Sequence, residues 1–153
     1  MKYLSIFALL LTLSTSAAAQ SALDEQIALV RQSAHTDRKI ILLSNMSFTA
    51  EESEMFWPKW DEYRAAAAEN GDRLLALIKD FAENYNNMTD QKAKELMTDH
   101  FSISMQDVVI QQDFAKELLK FMPATKVMRV IQIENKLDAA IDLQLASEVP
   151  LAR

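Results

Sequence analysis

Between Phe48 and Tyr85 the apolar positions keep one phase. Phe56, Trp60, Tyr63, Ala67, Leu74, Leu77, Phe81 and Tyr85 recur at steps of three and four, with Asn70 in the one polar slot. That spacing predicts a single long amphipathic helix. Such a helix extends about 55 Å, so the helices that cover it must be long as well. Thr49 and Glu52 have the spacing of a capping box, and Glu51, Glu52 and Glu54 suit the positive end of the helix dipole. Pro58 falls inside the pattern, where it removes one backbone hydrogen bond, crowds the carbonyl of Glu54 and predicts a kink. Asn70-Gly71 could end the helix, but the seam resumes at Leu74 in the phase of Ala67, which favours continuity.

Asn86-Asn87-Met88 is a short link, after which Thr89 caps a helix expected from Asp90 to about Met122. A tight link between two long helices makes an antiparallel hairpin. The second arm carries two apolar stripes about 120° apart around its axis. Ala93, Met97, Phe101, Val108, Ala115, Leu119 and Met122 form one; Leu96, Ile103, Ile110, Phe114 and Phe121 form the other. Pro123 suits the first position of a final helix to about Ala146, with Val127, Val130, Ile131, Leu137, Ile141 and Leu145 on its main face. Upstream, Ser21 can cap a short helix bearing Leu23, Ile27, Val30 and Ala34. His35 to Lys39 breaks that pattern, Ile40 to Leu43 fits helix or extended chain, and Ser44 to Ser47 reads as loop. Val149-Pro150-Leu151 is expected to be extended.

Composition sharpens this picture. One Gly, three Pro and no Cys in 153 residues point to an all-α protein: a long antiparallel hairpin, a C-terminal helix and a short N-terminal one. Lys2, the apolar run Leu4 to Leu13 and Ala17-Ala18-Ala19 read as a secretory signal peptide over residues 1–19, cut after Ala19. The apolar run is shorter than the roughly 20 residues a membrane span requires. A periplasmic location is therefore expected, with residues 20–153 as one domain held together without disulfides. Losing Lys2 leaves 15 basic against 22 acidic residues, a net charge of −7. Neither nucleic acid nor membrane insertion suits that mature chain, and protein partners or a second copy are the expected ones.

Candidate chemistry is sparse. If the flanking helices cover only the first stripe, Leu96, Ile103, Ile110, Phe114 and Phe121 form an exposed strip for a client or partner protein. Alternatively, one stripe meets each neighbouring helix and both belong to a bundle core. Glu134 and Asp138 lie one turn apart on the apolar face of the last helix and call for a cation nearby, with Arg64, Arg73 and Arg129 as candidates. Met97, His100 and Met105 are soft metal ligands in principle, yet their angles around the helix diverge, and core filling suits the methionines better. His35 has no companion ligand in its segment. Trp57, Trp60 and Tyr63 could make an aromatic patch, although Trp60 and Tyr63 lie on the buried seam. Phosphate-loop, nucleophile-elbow and zinc-hydrolase motifs do not occur, so neither an enzyme nor a resident cofactor is expected.

Helix starts share a pattern: Phe48-Thr49-Ala50-Glu51-Glu52, Met88-Thr89-Asp90-Gln91-Lys92 and, more loosely, Met122-Pro123-Ala124-Thr125-Lys126. In an exported, cysteine-free helical chain these resemble the Leu-Thr-x-x-Gln motif of the Spy/CpxP family of periplasmic proteins. Leu does not precede either Thr, and neither triplet ends in Gln. The resemblance implies a helical hairpin that dimerises and either cradles unfolded clients without ATP or reports envelope stress to a sensor. Some relatives bind metals. A periplasmic chaperone or stress adaptor is thus the expected function. A metal-binding or metal-sensing protein, with His100 or Glu134 as ligand, is the alternative.

Overall fold

A computed structural model describes residues 36–152. The expected leader, the helix expected from Ser21 and His35 lie outside these residues. The chain divides into two compact units between Ser44 and Asn45. Helix α1 (36–45) ends one residue past that boundary, and the Ser44 hydroxyl donates to the Ile40 carbonyl at 2.8 Å. It takes in both the charged run expected to break the pattern and the start of the expected loop. Arg and Lys are good helix formers, so a short polar run does not stop a helix. The loop shrinks to residues 46–49.

The second unit contains α2 (Ala50–Asn84), a 3-10 turn (Tyr85–Asn87), α3 (Asp90–Leu118) and α4 (Ala124–Glu148). All regular structure among the described residues is helical. Helix α2 starts as its sequence requires. The Thr49 hydroxyl accepts the Glu52 N–H at 3.1 Å, while the Thr49 N–H donates to the Glu52 carboxylate at 2.8 Å. It then runs unbroken through Pro58 and through Asn70-Gly71 for 35 residues. Thr89 caps α3 through the Lys92 N–H. Helix α3 stops at Leu118, and turn hydrogen bonds to the Ala115, Glu117 and Leu118 carbonyls lead to Pro123. Pro123 stands just before α4, its carbonyl accepting from the Lys126 and Val127 N–H groups.

Cross-helix contacts define the topology. Asp80 meets Lys92, Asn70 meets Ile103 and Asp107, and Phe56 meets Phe114, so α2 and α3 run antiparallel. Glu52 meets Lys126 and Trp60 meets Glu134, so α4 runs parallel to α2. Helix α4 has 25 residues against 35 in α2, and its contacts fall on the half of the hairpin away from the 85–89 link. The core follows that coverage. Phe56, Trp60, Tyr63, Phe114, Leu118, Met122, Val127 and Val130 are buried where three helices meet. Leu74, Leu77, Phe81 and Tyr85 are only half-buried, because at the far end only two helices face each other.

Candidate functional site

Two polar groups inside the helical unit are the first places to look for chemistry, and both are occupied structurally. Glu134 has no solvent contact. Its carboxylate accepts the Trp60 indole N–H at 2.9 Å and faces the Arg64 guanidinium at 3.5 Å. A buried carboxylate needs this combination of charge and hydrogen bond. Arg64 is thus the partner among the three arginines expected. Arg73 instead reaches Asn70 and Ser102, and Arg129 donates to the Asn45 carbonyl. Asn70, the polar slot of the α2 seam, donates to the Ile103 carbonyl at 2.9 Å and to the Asp107 carboxylate at 2.7 Å, and accepts from Arg73 at 3.0 Å.

The aromatic residues of α2 pack inward. Tyr63 stacks on Phe114 with ring centroids 4.4 Å apart, and Phe56 meets Phe48, Trp57 and Phe114. The Trp57 indole N–H donates to Ser53 on the half-buried rim of the cluster. Among the described residues no group of three or more His, Cys, Asp or Glu is placed to hold a metal. His100 is exposed beside Phe101, and Glu134 is committed to Trp60 and Arg64.

The two stripes of α3 follow neither of the expected arrangements: one faces inward and most of the other is exposed. Leu96, Ile103 and Phe114 are buried, and Ile110 and Phe121 are half-buried, so these five residues line the inner side and form no outer strip. The reason lies in the partner helix. Asn70 needs polar partners, and Asp107 and the Ile103 carbonyl supply them only when this stripe faces α2. Tyr63 likewise finds the flat face of Phe114. From Met97 to Val108 the other stripe is left outside, whereas Ala93 and Ala115 are half-buried and Met122, past the end of α3, is buried. Met97, Phe101, Met105 and Val108 are 54%, 62%, 64% and 67% exposed, and Val109 and Leu119 extend the patch.

This outer face is the candidate site. It is held by a helix fixed on its opposite side, so its side chains are presented from a rigid backbone. Exposed Lys94 and Lys116 stand along the same helix and Lys120 in the turn after it; Lys116 pairs with Asp113 and Lys120 with Glu117. An apolar strip with a polar rim can exclude water from another apolar surface. No helix among the described residues is long and apolar enough to cross a membrane. Comparison with known protein families, with curated proteins and with solved structures finds no match.

Proposed function

We propose that this chain is an exported, ATP-independent protein-binding factor, a chaperone or stress adaptor of the periplasm, and that its working surface is the outer face of α3. The observation that carries this reading is the run of Met97, Phe101, Met105 and Val108, each more than half exposed on one helix. A contiguous apolar patch is costly to leave in water and marks interaction sites on soluble proteins. Methionine suits a surface that meets many sequences, since its unbranched thioether adapts to irregular partners. Capture would be by apolar contact and release by dissociation, with no bond made or broken. The acidic balance of the chain favours encounter with basic segments of a client.

Aggregation of a chemically denatured client, diluted with purified mature protein and no nucleotide, tests this. Phe101→Asp and Val108→Asp are the informative variants, since both positions are exposed and the helix should tolerate them. Wild type is expected to suppress light scattering and both variants to lose most of that effect while keeping native circular dichroism. Full suppression by the folded variants would contradict the assignment of the surface, and inactivity of wild type would contradict the function.

A further inference from the structure

The outer face of α3 is set apart by its sulfur. The chain has eight Met and no Cys, so thioethers are the only sulfur groups it carries. Met46 and Met122 are buried, at 8% and 5% exposure, and Met88 is half-buried. Met97 and Met105 are 54% and 64% exposed, and both stand on the outer side of α3. They lie one turn before and one turn after Phe101. At about 100° per residue, Met97, Val108, Phe101 and Met105 follow one another in that order across a sector of about 80°. The two thioethers therefore border the strip, with Phe101 and Val108 between them. A partner laid along α3 meets both sulfurs.

We infer that Met97 and Met105 form a reversible oxidation site that switches this face between an apolar, binding state and a polar, non-binding one. This rests on the reading of the outer face as a protein-binding surface, and it adds how that surface is regulated. The co-reactant is a two-electron oxidant of the peroxide class. With hydrogen peroxide, the thioether sulfur takes one oxygen: an S–O bond forms as the O–O bond breaks, the sulfur loses two electrons, and the second oxygen leaves as water with both hydrogens. The return step draws two electrons and two protons from a dithiol, which closes to a disulfide while the oxygen leaves as water.

The product is a polar, chiral sulfoxide in place of a flexible apolar side chain. Its oxygen is hydrated in the free protein, and an apolar client segment laid over it supplies no donor. Binding is thus penalised along both edges of the strip. The fold is spared, because α3 is held by Leu96, Ile103 and Phe114 on its opposite side, and Met46 and Met122 are shielded by burial. Access sets the order of reaction, and the chain has no thiol to intercept the oxidant first. Exposed Met55 on α2 and Met128 on α4 react as well, but neither lies on the outer face of α3, which makes them internal controls.

Graded hydrogen peroxide on the mature protein, followed by mass mapping of its peptides, tests the site. Met97 and Met105 are expected to take up one oxygen each before Met46 and Met122 do. Two readouts then test the switch: binding of an apolar fluorescent dye, and the protein concentration that halves aggregation of a denatured client. On oxidation dye binding should fall and that concentration should rise roughly tenfold, with circular dichroism unchanged. Sulfoxide reductases for both epimers, supplied with a dithiol, should reverse both changes. Met97→Leu combined with Met105→Leu should hold both readouts under peroxide, whereas Met55→Leu combined with Met128→Leu should respond as wild type does. Oxidation of Met46 or Met122 first, oxidised wild type with unchanged dye binding, or loss of both readouts in the Met97→Leu, Met105→Leu protein overturns the inference. A wild type that never suppresses aggregation but loses dye binding on oxidation overturns the proposed function and upholds the switch. Suppression that survives oxidation of both residues overturns the switch and leaves the proposed function standing.

Discussion

Glu134 sits between the Trp60 indole and the Arg64 guanidinium, and what happens when it is removed follows from what each partner loses. Glu134→Ala leaves the indole N–H without its acceptor and Arg64 without its counter-charge. Arg64 is partly exposed and can be re-solvated, which limits the cost to about 2 kcal/mol. Glu134→Gln keeps the acceptor and should cost about half as much, in urea unfolding of both variants. Two carboxylates give opposite pH signatures. Lys126 and the Thr49 N–H hold Glu52 below its ordinary value of 4.5. Its contribution is present above that value and fades as pH falls through the depressed one. Burial, with Asp138 and Asp107 nearby, pushes Asp142 above 3.8. That penalty is absent in acid and appears as pH rises past 3.8 through the raised value. Glu52→Gln should therefore lower thermal stability at pH 7 more than at pH 3, whereas Asp142→Asn should raise it at pH 7 and leave it unchanged at pH 3. A demand for a cation beside Glu134 was legible in the sequence, because a charge in an apolar stripe requires one. The role of Asn70 was not, since a polar slot in a seam does not reveal that α3 will present the Ile103 carbonyl and Asp107 opposite it.

At the scale of the helices, starts and phases were readable because local rules govern them. The caps at Thr49 and Thr89 and the link between α2 and α3 formed where side-chain chemistry placed them. Gly71 continues α2, and a Cβ added there meets nothing within 4 Å. Gly71→Ala should therefore stabilise the protein by about 0.5–1 kcal/mol, seen as a rise in melting temperature. A loss would mean that the chain bends there. Thr49→Ala removes the reciprocal cap and should cost about 1 kcal/mol, and Thr49→Ser should restore most of it. What local rules did not decide was which stripe of α3 turns inward. Both stripes have helical spacing and large residues, and the choice was made by groups on α2, Asn70 and Tyr63, far away in sequence.

Across the whole helical unit, stability is uneven, because α4 covers one half of the hairpin. Amides of α2 from Leu74 to Asn84 should exchange hydrogen faster than those from Phe56 to Tyr63, where α3 and α4 both pack. Equal protection along α2 would contradict that division. The same geometry leaves α3 with an outer face that neither α2 nor α4 buries, and the proposed function stands on that face. The most direct measurement is aggregation suppression by wild type against Val108→Asp, with no nucleotide present and circular dichroism matched. The account predicts that wild type holds the client in solution and that the folded variant does not. A folded Val108→Asp protein that suppresses as well as wild type would contradict it.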